Sequence, residues 1–325
     1  MTIFRRSEFI IAAILLVAMI FIGLINPAFW SLDNMFGLLR SNVIIGIMAL
    51  GVLVVMISGG IDVSFTAFAV AAMYLTVKGM LYFGYEGVLV PFIAATLIGL
   101  VLGAFNAFFI HTFRMIPLIV TLGTGSVVRG LLLGLVGTSI INIDKMPPEL
   151  INFAKVNLVN STSATGTNFG LTAMILIYLG LALVTHLFLR YTMIGRSIFA
   201  YGGAPEAAKR VGFDTRKTLF FVYCFAGALA GFAGLLQGSM IWQANPRDFA
   251  GFELDVIAAV VLGGASIFGG RGSVAGTLLG VFMLVMVKNS LIIMKVDTTW
   301  QRVVVGLIIV GATALTAWRD RKKLV

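Results

Sequence analysis

Runs of about 20 predominantly apolar residues return again and again along this chain, and a segment of that length matches the hydrocarbon thickness of a bilayer. They fall near residues 9–25, 42–58, 64–83, 87–110, 118–137, 171–189, 218–240, 253–268, 274–293 and 301–318. In hydrocarbon every backbone N–H and C=O must be satisfied internally, so such runs become helices. The expected fold is an all-α polytopic membrane protein with about ten transmembrane helices. Composition agrees: 60% of the 325 residues are hydrophobic, 11% are charged and the mean hydropathy is +1.06, against about a quarter charged in soluble domains. Arg5-Arg6 and the apolar run that follows look like a secretion signal. The run is too long for a signal core, and Asn26-Pro-Ala-Phe-Trp30 replaces a cleavage site, so a retained first span is expected.

The net charge of +10 reflects orientation rather than nucleic-acid binding. With a cytoplasmic N-terminus, the inner segments hold Arg5, Arg6, Arg114, Arg190, Arg196, Lys209, Arg210, Arg216, Lys217, Arg271, Arg319, Arg321, Lys322 and Lys323. The outer segments hold only Arg40, Lys145, Lys155, Arg247 and Lys295. That bias predicts both termini on the cytoplasmic side. Trp30, Trp242, Trp300 and Trp318 then mark span ends.

The chain reads as one transmembrane domain over residues 1–325, with an outer loop at 138–170 and a cytoplasmic loop at 190–217. The outer loop is polar, with a short helix expected after Pro148; it is either a docking surface or an idle connection. The cytoplasmic loop contains the longest charged interruption, from Tyr201 to Lys217. Pro205 suits a first helical position. Glu206 in the first turn and Lys209 and Arg210 in the last complement the helix dipole, and Gly212 is placed to end the helix in a left-handed conformation. So short a helix needs a surface to lie against. Either it docks a partner ATPase or it is an ordinary basic loop.

Two glycine-rich stretches interrupt spans: Ile57-Ser-Gly-Gly-Ile-Asp-Val-Ser64 and Val261-Leu-Gly-Gly-Ala-Ser-Ile-Phe-Gly-Gly-Arg-Gly-Ser-Val274. The short strings Asn106-Ala-Phe-Phe-Ile and Asn289-Ser-Leu-Ile-Ile, each ahead of another span, add to the suggestion of an internal repeat with broken helices, the device by which transporters expose backbone to a cavity. The second stretch serves for tight turning or close helix packing.

Nothing points to an enzyme. There is no G-x-x-x-x-G-K-[ST] phosphate loop. One cysteine and two histidines give no metal-ligand set, so no metal site is expected. Candidate translocation-path residues are Asp62, Asn106, Arg129, Lys288 and Asn289. Asp62 is a gate or a helix cap, the cap being favoured, with bonds expected from the N–H of Ser64 or Phe65. Arg129 and Lys288 line a polar path, or pack against carbonyls or a carboxylate. Asn106, Asn289 and Gln237 bond a polyhydroxylated solute or one another's helices. Glu253 and Asp255 complement the dipole of the helix they begin.

Taken in order, Asn34, Gly46-Ile-Met-Ala-Leu-Gly51, the stretch 57–64, Ile116-Pro-Leu-Ile-Val-Thr-Leu-Gly-Thr124, Arg129-Gly-Leu131, Gly195-Arg196, Pro205-Glu-Ala-Ala208, Gly212, Glu253–Gly264 and Gly269–Thr277 resemble the permease subunits of bacterial ABC sugar importers of the ribose/galactose/autoinducer-2 class. The resemblance covers nearly the whole chain. It implies a subunit of the bacterial inner membrane that pairs with a second permease subunit. ATPase subunits would carry ATP and Mg, and a periplasmic or lipid-anchored binding protein would deliver a sugar. It implies an ATPase-coupling helix at Ala204, Pro205, Glu206, Ala207, Ala208, Lys209, Arg210, Val211 and Gly212. The chain departs from the family pattern at Ala204, at Val63-Ser-Phe-Thr66 and at Lys288-Asn-Ser290, where Lys288 alters the cavity or pairs with an acid. The competing class is a secondary transporter coupled to an ion or proton gradient, with Asp62, Arg129 or Lys288 as the coupled group.

Overall fold

The computed structural model describes residues 7–162 and 168–297, with residues 300, 303–304, 306–307 and 310–311 beyond them. The expected last span, 301–318, and the tip of the polar tract at 163–167 therefore lie largely or wholly outside the described residues.

Twelve α-helices follow in order among these residues: α1 Ser7–Ile25, α2 Leu32–Ile57, α3 Phe65–Phe83, α4 Leu89–Thr112, α5 Pro117–Leu131, α6 Pro148–Ala154, α7 Met174–Tyr191, α8 Met193–Gly203, α9 Pro205–Arg210, α10 Thr215–Ile241, α11 Phe252–Leu262 and α12 Val274–Ile293. A π-helical turn, Leu132–Val136, extends α5. Seven of the described helices are long and apolar enough to cross a membrane: α2, α3, α4, α5 with its π turn, α7, α10 and α12. The apolar part of α1, Ile11–Ile25, is shorter.

Helix α2 is the hub. Every residue from Asn42 to Ile57 is buried, as expected of a helix that is apolar all round. It also starts earlier than the apolar run suggests, at Leu32, so Arg40 lies within the helix and not in an outer loop. Arg40 keeps its charge satisfied by donating to the carbonyl of Met240, in the last turn of α10, at 2.8 Å. A cation at a helix C-terminus complements the dipole there.

Helix α10 packs along α2, α3 and α4, and glycines decide how closely. A methyl group on Gly99 of α4 would lie 2.1 Å from the carbonyl oxygen of Gly227, and one on Gly227 would lie 2.2 Å from that of Gly99. Gly103 faces the Tyr223 carbonyl and Gly231 faces that of Ala95, each with 2.1 Å for an added Cβ. In lipid, where tails are as apolar as leucine, such backbone approach is a main source of helix adhesion.

The expected span at 253–268 is corrected. Helix α11 has 11 residues, about 16 Å of rise, which is half of a hydrocarbon core of about 30 Å. Gly263 and Gly264 end it: Gly264 is left-handed at φ 86, and the chain turns through a loop closed by Ser266 N–H to the Arg271 carbonyl at 2.9 Å.

The segment expected as an outer loop contains the short helix expected after Pro148, α6, which begins at Pro148 itself, and an antiparallel hairpin that was not expected, β1 Asn157–Thr162 with β2 Asn168–Thr172. Phe169 of the hairpin lies 5.9 Å from Phe36 of α2, centroid to centroid. On this face Tyr74 donates to the Ser139 carbonyl at 2.7 Å, and Ile141 bridges Ala244. The opposite face carries α8, α9, the end of α2 and the loop after α11.

Candidate functional site

Two polar clusters and one surface helix hold the residues singled out from the sequence. The first cluster fills the break between α2 and α3. Helix α2 stops because Gly59 takes φ 82, a left-handed conformation that suits glycine. Asp62, 2% exposed, accepts from the N–H and the hydroxyl of Ser64 at 2.7 and 2.6 Å. The bond from the Ser64 N–H is one of those expected from the sequence, but the N-cap of α3 is Ser64 itself, whose side chain makes no capping bond, so Asp62 braces the residue before the helix. The network continues outward. Asn106 donates to Ser64 Oγ at 2.8 Å and accepts from Thr124 at 2.7 Å. Thr121 donates to the Ile61 carbonyl at 3.3 Å. Asn106 is fully buried, so in this conformation it bonds helix to helix. The sequence offered Asp62 and Asn106; Thr121 and Thr124 it did not single out, since hydroxyls that back-bond their own helices carry no distinctive spacing.

The second cluster surrounds the start of the half-helix α11. Arg129 of α5 donates to the hydroxyl of Thr66 at 3.0 Å and to the carbonyls of Asp248 and Phe249 at 3.3 and 3.5 Å. Thr66 donates to Glu253 at 3.4 Å. On the other flank Lys288 of α12 forms an ion pair with Asp255, and Asn289 donates to Asn34 at 2.5 Å. Glu253 and Asp255 sit in the first turn of α11, where carboxylates complement the dipole. Arg129, Lys288, Glu253 and Asp255 each have a polar or charged partner, as ionisable groups among apolar helices require, whereas the buried Asp248 Oδ2 accepts no hydrogen bond among the described residues. Arg129 takes carbonyl and hydroxyl partners and Lys288 takes a carboxylate. Of the alternatives drawn from the sequence, packing is the one these contacts display.

The surface helix is α9. Pro205 occupies its first position, Glu206 its first turn, and Lys209 and Arg210 its last. Gly212 follows at φ 89. Only Ala208 is buried, at 2% exposure, while Val211 is 73% exposed. The helix is fixed from below by the Ala208 methyl, and the rest of its surface is open. Past it, Asp214 caps α10 by accepting from the N–H of Lys217 at 3.0 Å. That bond holds the Asp214 carboxyl below the usual carboxylate range.

A bundle of hydrophobic helices, seven of them among the described residues long and apolar enough to cross a membrane and two of its segments broken by glycine, defines a polytopic membrane protein. The chain belongs to the family described as the branched-chain amino acid transport system / permease component, whose model matches residues 34–313. Among curated proteins it is similar to the ribose import permease protein RbsC of Bacillus subtilis, 34% identical over 95% of this chain and 91% of that protein. It is similar to RbsC of Haemophilus influenzae at 30% identity over 97% of this chain and 94% of that protein. The autoinducer 2 import system permease protein LsrD of Photorhabdus laumondii is 31% identical over 94% of this chain and 89% of that protein. No solved structure matches.

Proposed function

We propose that this chain is the membrane permease subunit of an ATP-binding-cassette importer, passing a sugar or sugar-like solute handed over by a binding protein. Membership in the permease family and the ribose and autoinducer 2 importers among its relatives support the solute class. The observation that carries the coupling is α9: a helix of six residues, too short to persist in water unaided, held out from the bundle with Glu206, Lys209, Arg210 and Val211 exposed. The reading places α9 and both termini in the cytoplasm of a bacterial inner membrane, a second permease subunit beside this one, and ATP with Mg on docked ATPase subunits. Residues 204–212 transmit closure of the ATPase dimer to the spans, which alternate their access. The path binds solute weakly, because the binding protein supplies the selectivity, and the solute shifts the access equilibrium only by its differential affinity for the two states.

The test is recovery of the tagged chain from its native membranes in mild detergent. A phosphate-loop ATPase should accompany it and be lost when residues 205–211 are deleted or Glu206→Lys reverses the charge. Recovery of the chain alone, with uptake that survives ATP depletion and fails when the ion gradient collapses, overturns the proposal in favour of a secondary transporter.

A further inference from the structure

Three segments far apart in sequence meet through bare backbone on the face that carries α9. The Ile57 carbonyl, one of those left over at the end of α2, accepts from the N–H of Gly270, in the loop after α11, at 2.8 Å. Gly202, near the end of α8, lies against the same carbonyl: an added Cβ there would come within 1.8 Å of the Ile57 oxygen and 2.8 Å of the Gly270 nitrogen. Gly269 completes the contact, its Cβ position 2.5 Å from the Gly202 oxygen and 2.8 Å from the Gly59 Cα. Gly59, Gly269 and Gly270 all take positive φ, at 82, 88 and 73. A side chain at Gly202, Gly269 or Gly270 would collide with backbone, and one at Gly59 would strain φ.

The junction joins the two broken helices to one another and both to α8. Helix α9 follows α8 immediately, and their hydrogen bonding bridges the joint: Ala204 N–H donates to the Ala200 carbonyl at 3.0 Å, and Ala208 N–H to the Ala204 carbonyl at 2.9 Å. Backbone seated on backbone has no rotamers with which to absorb a displacement, and close-packed interiors transmit strain. We infer that Gly59, Gly202, Gly269 and Gly270 are positioning residues that relay movement of α9 to the α2–α3 break and to the half-helix α11. This rests on the proposed function, since it takes the ATPase as the source of the movement.

The test uses the whole transporter, permease with its copurifying ATPase, in nanodiscs. Cys224, the single cysteine, is replaced by serine, and Leu254→Cys, at a position 65% exposed on α11, reports by its rate of maleimide labelling with and without ATP and vanadate. The parent should show a nucleotide-dependent change in that rate. Gly202→Ala should reduce the change at least fivefold while the ATPase still copurifies and hydrolyses ATP. Gly203→Ala, whose Cβ would meet only the Gly270 Cα at 4.0 Å, should keep it. Gly59→Ala is the gentler second variant for use if Gly202→Ala does not assemble: its Cβ has 3.8 Å of room and it stresses only φ, and it should also lower the change. An assembled Gly202→Ala or Gly59→Ala complex with the parental labelling change overturns the relay and leaves the proposed function standing. A parent that brings down no ATPase removes the proposed function, and the relay with it.

Discussion

The crossing of α4 and α10 makes the sharpest demand on residue size, and Gly227→Ala tests it. The new methyl would sit 2.2 Å from the Gly99 carbonyl oxygen and 3.1 Å from the Gly103 Cα. Ordinary contact needs roughly 3.5 Å, so the two helices must part by about 1 Å. Parting them weakens dispersion along the adjoining turns, where Gly231 on Ala95 and Gly103 on Tyr223 are equally tight. Overpacking of a filled interior costs about 1–3 kcal/mol. Neither atom in this clash is the end of a flexible side chain, so about 3 kcal/mol, the upper end, is expected. Gly99→Ala should cost a similar amount. The double variant should cost clearly less than the sum, because one separation relieves both clashes; couplings of neighbouring residues run to about 0.5–3 kcal/mol. Gly180→Ala on α7, with nothing within 4 Å of its Cβ, is the matched control and should be neutral or gain up to about 1 kcal/mol from helix propensity. Thermal unfolding of the purified protein in one detergent measures all four. A Gly227→Ala protein as stable as the Gly180→Ala control would refute the argument that backbone contact sets the spacing of these helices.

Lys288→Met should destabilise by about 2 kcal/mol by leaving the part-buried Asp255 carboxylate without its cation, whereas Lys288→Met with Asp255→Asn should recover most of the loss, read by the same unfolding assay. Asp62→Asn keeps an oxygen for the Ser64 N–H and should cost less than about 1 kcal/mol. Asp62→Ala removes the acceptor of both Ser64 bonds and leaves the buried Ser64–Asn106 pair short of one, at about 2 kcal/mol. Equal losses in the two Asp62 variants would show that its charge, and not its hydrogen-bond geometry, holds the α2–α3 break.

The sequence exposes what depends on local pattern. Seven of the expected span positions followed from apolar length, and helix α9 was legible residue by residue, because Pro205, Glu206, Lys209, Arg210 and Gly212 each mark a position in a helix. The Asp62–Ser64 bond was legible for the same reason, the partner lying only two residues away, although the N-cap position belongs to Ser64. The length of α11 was not. Val256 to Val261 is continuous apolar chain, and hydropathy does not distinguish a helix that crosses from one that turns back. The turn is made by Gly263 and Gly264, whose need for close approach comes from α12: an added Cβ on Gly263 would sit 2.5 Å from the Gly276 carbonyl. Arg40 misled in the opposite sense. Its charge reads as a loop, but the free carbonyl it caps lies 200 residues on, at Met240. The hairpin β1–β2 was hidden because the apolar residues of β1, Leu158 and Val159, are adjacent and do not alternate, and the five residues of β2 are too few to carry a pattern.

These cases share a cause that bears on function. A glycine in a membrane helix weakens it only until another backbone arrives to use the space, so glycines that look like interruptions in one dimension are contacts in three. Gly99 and Gly227 serve two unbroken helices and set a spacing. Gly59, Gly202, Gly269 and Gly270 serve breaks and helix ends, where the freed Ile57 carbonyl finds its donor in another segment. The first kind of contact is bounded by helices hydrogen-bonded along their length and resists rearrangement. The second joins the end of α2, the end of α8 and the loop after α11, and in the inferred relay a displacement there moves whole elements. Alternating access needs both kinds: a fixed seam to move against, and a joint through which the motion enters.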